Sequence, residues 1–126
     1  MGSVHYIGPS YFQVHELDSP DQPGSGVNMH PAFMQKLNDL RAVCGFPFIV
    51  TSGFRTKAYN DKIGGAKRSM HLFGKAVDIL VEDAEQTAIL VREALKMGFT
   101  VGVSRKSGED GFVHLDDRYP SLMWSY

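Results

Sequence analysis

Asp78 stands inside Ala76-Val77-Asp78-Ile79-Leu80, a run that is otherwise fit for complete burial. A carboxylate buried without a partner is costly, so a fold that buries this run must bring it an amide, a cation or a metal. Two histidines occupy comparable places. His71 precedes Asp78 by seven residues with Gly74 between them, and His114 interrupts the apolar segment Phe112-Val113-His114-Leu115. Taken singly, each has an ordinary explanation: Asp78 can bond backbone amides or pair with an arginine, and His71 can be a plain loop histidine. The combination points to metal. Two imidazoles and one carboxylate suit Zn²⁺, and three protein ligands rather than four leave a position open for water, as in catalytic sites.

At 126 residues the chain has the length of one domain. Its 13 basic and 14 acidic residues give a formal charge of −1. That balance lacks the basic excess that a nucleic-acid or anionic-membrane partner requires, and no apolar run approaches membrane-spanning length. The reading therefore expects neither partner, and a monomer. Cys44 is the sole cysteine, which excludes an intrachain disulfide and a thiolate metal cluster; within a helical pattern it reads as a small buried hydrophobe. Met1-Gly2-Ser3-Val4-His5-Tyr6 has neither the basic nor the apolar region of a secretory signal, so the expectation is synthesis in the cytoplasm, with Met1-Gly2-Ser3 open to being a tag remnant.

Residues 1–28 carry Pro9, Pro20, Pro23, Gly24 and Gly26 and read as an irregular lead-in, with a short extended piece near Tyr11-Phe12-Gln13-Val14. Residues 29–126 then form the domain proper. Asn28 as cap, Pro31 in the first turn, and Phe33, Leu37, Leu40 and Cys44 at helical spacing predict a helix over 29–44, ended by Gly45. Strands are predicted at 46–52, 76–81, 99–103 and 112–115, the last two joined as a hairpin by the polar turn from Ser104 to Gly111. A second helix runs from an Asp83 cap to about Met97, with Ala84, Ala88, Val91 and Leu95 on one face, while Gly53 to Ser69 reads as loop. Tyr119, Trp124 and Tyr126 form an aromatic tail without assigned structure. Mixed helices and strands without regular alternation imply an α+β domain with a small, mainly antiparallel sheet and flanking helices.

Ser52-Gly53-Phe54-Arg55-Thr56, Asn60, Gly64-Gly65, the pattern Ser69-x-His71-x-x-Gly74-x-Ala76-x-Asp78, and Phe112-Val113-His114-Leu115-Asp116-Asp117-Arg118 together resemble the zinc D-Ala-D-Ala carboxypeptidase family, the M15 peptidases. That family includes phage endolysins and shares its fold with the hedgehog signalling domain. The likeness spans about residues 28–118 and is greatest to the small single-domain branch of phages and prophages. It implies His71, Asp78 and His114 as ligands of one Zn²⁺ per chain, Arg55 facing the substrate, and Ser52 and Ser69 shaping the site through hydrogen bonds. Several members place a Glu three residues before the third ligand or a His two before it; here those positions hold Gly111 and Phe112. Asp116, on the same strand face as His114, is the first candidate for the general base and Asp110 the second. Asp116 has a rival role in orienting His114 or pairing with Arg118, and Asp110 one as a simple turn residue.

The activity so implied is hydrolysis of peptide bonds in peptidoglycan stem peptides by a metal-activated water, as carboxypeptidase or endopeptidase, acting at the bacterial cell wall if the origin is phage or prophage. The alternative is a non-catalytic, zinc-stabilised module that binds cell wall or protein. Lys62, Lys67 and Arg68 are candidates to meet an anionic stem but equally form a solvated face.

Overall fold

Pro31 decides where the first helix begins. The residue before a proline is pushed out of the helical region, so His30 is extended (φ −69°, ψ 126°) and helix α1 spans Pro31–Cys44, not 29–44. Asn28, the expected cap, instead closes a short 3₁₀ turn, Ser25–Asn28. At the other end Gly45 takes a left-handed conformation (φ 76°) and donates to Arg41 O, as helix C-termini favour. The structure, a computed structural model, describes residues 10–104 and 111–118 and the backbone of 123–125.

Strands β1 (Ile49–Ser52), β2 (Ala76–Val81), β3 (Thr100–Ser104), β4 (Gly111–Asp116) and β5 (Met123–Ser125) form a single sheet in the order β1-β2-β4-β3-β5. The first four pair antiparallel, so the expected α+β architecture is what the chain adopts. β5 adds a parallel edge to β3. The sequence reading left that tail unassigned, because three residues are too few to show a period. The β3–β4 pair matches the predicted hairpin, with Thr100 opposite Asp116 and Ser104 opposite Phe112. Its turn, 105–110, lies outside the described residues, as do His5, Tyr119 and Tyr126 and the side chain of Trp124.

Helix α2 (Lys57–Lys62) occupies the stretch expected to be loop. It is a short, mostly polar helix without apolar periodicity, held at its start by Thr56, whose hydroxyl accepts from Tyr59 N at 3.1 Å. Helix α3 (Ala84–Lys96) begins as predicted, with Asp83 Oδ1 accepting from Gln86 N at 2.7 Å. Its buried face differs from expectation. Leu90 and Ala94 are fully covered and Val91 and Met97 pack beside them, while Leu95 is 42% exposed and Ala84 and Ala88 face solvent.

The core lies between the sheet and α1 and α3. Phe33, Leu37 and Leu40 of α1, Leu90 and Ala94 of α3, and Val77, Ile79, Val101, Val113 and Leu115 of the sheet meet there. Phe33 packs edge-on against Phe99 with centroids 5.9 Å apart, a geometry that adds ~0.5–1.5 kcal/mol beyond the buried area. Cys44 is half-buried against this core, and burial with the nearby Glu93 pushes its thiol up to about 11.

From residue 10 onward the N-terminal segment is part of the same core, through Phe12, Leu17 and Met29. The extended piece expected at 11–14 gives way at Val14, where a 3₁₀ turn, Val14–Leu17, starts; Gln13 N donates to Glu16 Oε2 at 2.8 Å and closes it. Leu17 O then accepts from Phe54 N at 2.9 Å.

Candidate metal centre

β2 and β4 place Asp78 directly opposite His114. β2 lies between β1 and β4, so Asp78 is buried in the middle of the sheet, 7% exposed. His71 arrives from a 3₁₀ turn, Met70–Phe73. Ser69 starts that turn by accepting from His71 N at 3.2 Å. Gly74 ends it in a left-handed conformation (φ 69°), and a Cβ there would lie 2.3 Å from Asn28 O. Only glycine meets both demands. This turn folds the chain back so that residues seven apart in sequence share one site.

The donor atoms converge. One donor atom from each of His71, Asp78 and His114 lies within 4.8 Å of the other two. His114 Nδ1 is 2.9 Å and His71 Nε2 3.3 Å from Asp78 Oδ1. The far nitrogens are held by acceptors. His71 Nδ1 donates to Gly53 O at 2.7 Å, and a carbonyl can only accept, so Nε2 carries the lone pair when the ring is neutral. His114 Nε2 meets Asp116 Oδ2 at 2.8 Å. Fixing the remote N–H in this way sets tautomer and ring plane in metal-binding histidines.

Among the described residues, His71 Nε2 is a buried side-chain nitrogen without a hydrogen-bond partner. Such an atom is unfavourable unless something binds it. With a carboxylate oxygen and a second imidazole beside it, the set matches the nitrogen and oxygen preference of zinc and leaves a coordination position open. The residues fit the metal that the sequence reading expected.

Electrostatics support the same arrangement. Burial alone would raise the Asp78 pKa, but the His114 hydrogen bond and the adjacent His71 hold it well below the usual carboxylate range. Burial alone would lower the pKa of His114, but its hydrogen bonds to Asp116 and Asp78 outweigh that and raise it above 6.5. Burial likewise opposes ionisation of Asp116, yet His114 and Arg118 bring its pKa down to about 2.

Arg55 is fixed at three points: Nε donates to Ser52 Oγ at 3.0 Å, Nη1 to Asn60 Oδ1 at 3.2 Å, and Nη2 to Asp78 Oδ2 at 3.4 Å. Asp78 thus turns one oxygen to the histidines and the other to Arg55. A cavity of about 510 Å³ is lined by His71, Asp78 and His114, with Arg55, Ser69, Phe112 and Arg118 among its walls. Ser52 Oγ accepts from Arg55 Nε, and Ser69 Oγ accepts from His71 N at the start of its turn.

Asp116 stands on the same strand face as His114, as alternation predicts, but behind it. Its carboxylate is fully buried, accepts from Arg118 N and Nε at 3.0 Å, and is absent from the cavity wall. Asp110 lies outside the described residues. Two contributors escaped the sequence reading. The Gly53 carbonyl that orients His71 has no side-chain signature, and Asn60, whose placement beside Arg55 depends on α2, was noted only as part of the resemblance.

A family model described as Peptidase M15 matches residues 10–116. Among solved structures, the crystal structure of the Serratia marcescens L-Ala D-Glu endopeptidase ChiX superimposes with a TM-score of 0.52 at 23% identity, covering 75% of this chain and 86% of that one. At that identity the likeness speaks for a common fold. No curated protein sequence matches the chain significantly.

Proposed function

Because the chain belongs to the peptidase M15 family, we propose that it is a zinc-dependent peptidase that hydrolyses a peptide bond in peptidoglycan stem peptides. The observation that carries this reading is the convergence of His71 Nε2, Asp78 Oδ1 and His114 Nδ1 at the floor of an open cavity, with His71 Nε2 otherwise unpartnered. The name of ChiX supports a substrate of the same chemical class.

His71, Asp78 and His114 would hold the zinc, and it would supply Lewis acidity that lowers the pKa of water toward neutrality and polarises a carbonyl. The chain's own groups do the rest. Arg55 has five N–H groups and commits three of them within the site. The remainder are available to a substrate carboxylate or to the oxygen that gains charge during attack. Asp116 acts through His114, holding the ring with Nδ1 toward the site, and Arg118 keeps Asp116 ionised. With Asp116 committed in this way, the second candidate of the sequence reading, Asp110, is the group that would take the proton from water and return it to the departing amine.

Metal analysis of the purified chain, combined with mass spectrometry of digested peptidoglycan, tests the reading. One equivalent of zinc and stem-peptide fragments shortened by hydrolysis are expected, and the fragment masses assign the bond. A zinc-loaded chain that leaves peptidoglycan intact would overturn the enzymatic reading and favour a binding module.

A further inference from the structure

Asn60 is the one residue of α2 that is fully enclosed, at 1% exposure. Its side chain is used at both ends. Nδ2 donates to Ala66 O at 2.9 Å, and Oδ1 accepts from Arg55 Nη1 at 3.2 Å. Its backbone carbonyl accepts from Gly65 N at 2.8 Å. Gly64, Gly65 and Ala66 line the cavity above the three ligands, and Arg55 holds Asp78 Oδ2. One buried amide therefore joins the rim of the cavity to the guanidinium behind the carboxylate. Gly65 shows how closely the parts fit. A Cβ at that position would lie 2.1 Å from Asn60 Oδ1 and 3.2 Å from Arg55 Nη1. Gly65 is required there for space, whereas its neighbour Gly64 meets a backbone demand at φ 73°.

We propose that Asn60 is a positioning residue of the metal centre: by holding Arg55 it keeps Asp78 Oδ2 turned away from the histidines, so that the carboxylate offers the metal a single oxygen, Oδ1. The inference rests on the zinc reading above. It separates two roles for the Asn60 amide. The Oδ1 half serves the metal ligand through Arg55, and the Nδ2 half braces the Gly64–Ala66 rim. A carboxylate free to swing would lose its preorganisation toward the two imidazoles, and groups that orient metal ligands typically contribute ~10–100-fold to affinity.

The test is zinc affinity of the full chain, measured by competition with a chromophoric chelator, alongside thermal unfolding of the metal-free chain. Asn60→Ala should weaken zinc binding by ~10–100-fold. Gly65→Ala, which displaces Oδ1 without removing the amide, should weaken it comparably, and the double variant should bind no worse than Asn60→Ala, because both changes act on one contact. Asn60→Asp keeps an acceptor for Arg55 and loses the donor to Ala66; it should keep near-normal zinc affinity while lowering metal-free stability. If Asn60→Ala or Gly65→Ala is less stable yet binds zinc like the wild type, Asn60 only braces the loop and the inference fails. It fails equally if Asn60→Asp binds as weakly as Asn60→Ala. A wild-type chain that does not bind zinc would instead refute the underlying metal reading.

Discussion

Asp78 and His114 sit opposite each other on adjacent antiparallel strands and are joined by a 2.9 Å contact between Oδ1 and Nδ1. When His114 is protonated, the proton on Nδ1 lies between these two atoms, where a metal held by the same pair would sit. On the zinc reading, proton and metal compete for the same pair of atoms.

That competition fixes the sign of a pH effect. The folded pKa of His114 is raised above 6.5. The stability it gives the metal-free chain is complete below the unfolded value and is lost as pH rises through the folded value. Zinc reverses this, because it binds the deprotonated ring. The melting temperature of the metal-free chain should fall as pH is raised from 6 upward, while that of the zinc-loaded chain should not. Parallel curves for the two forms would show that His114 does not ligate.

His71→Ala and His114→Ala should each lose zinc while leaving α1 and α3 formed, since both helices rest on the core around Phe33, Leu37 and Leu90 and not on the site. Metal analysis and far-ultraviolet circular dichroism on the same samples check this. Full zinc occupancy in either variant removes that histidine from the ligand set.

Asp116→Asn and Asp110→Asn should separate cleanly. The first removes the negative acceptor behind His114 and should weaken zinc affinity by ~10–100-fold. The second should leave zinc in place and lower turnover by ~10²–10⁴-fold. A large loss of turnover in Asp116→Asn at unchanged zinc affinity would return the role of base to Asp116.

Arg55→Lys keeps the charge but not the planar fork that reaches Ser52, Asn60 and Asp78 together. Catalytic efficiency should fall while thermal stability stays close to wild type. Global unfolding of this variant would make Arg55 a structural ion-pair residue.

Gly74→Ala meets both a left-handed backbone and Asn28 O at 2.3 Å from the new Cβ. The backbone term alone is about 1–2 kcal/mol, and the collision adds to it. A drop in unfolding free energy larger than this, together with weakened zinc binding, is expected from denaturant titration. A neutral effect would mean that the turn after His71 tolerates another path.

Much of this site is legible in the sequence because its chemistry contradicts its surroundings. Asp78 and His114 are polar interruptions in apolar runs, and such interruptions need a reason. Strand β2 was read to the residue, since Ala76 to Val81 is bounded by Gly74 on one side and Glu82-Asp83 on the other. Other features depended on tertiary context. Helix α2 has no apolar stripe, so nothing periodic announced it. The buried face of α3 rotated away from Ala84, Ala88 and Leu95 because Leu90 and Ala94 fit the sheet better than the stripe chosen from spacing. Asp116 was correctly placed on the His114 face, but a strand period cannot say whether a neighbour two residues on lies before or behind the imidazole.

The hydrogen bond from Phe54 N to Leu17 O has a practical side. Leu17 also closes over Gly53, where a Cβ would lie 2.8 Å from Leu17 O, and Gly53 O is the acceptor that orients His71. The irregular N-terminal stretch is thus a buttress one residue removed from His71. Trimming the chain to its helix-and-sheet portion at residue 29, the natural choice when shortening it for fusion or display, would remove the buttress and leave His71 free to turn its ring. A shorter unit that keeps Gly53 O set against the His71 ring has to retain Leu17.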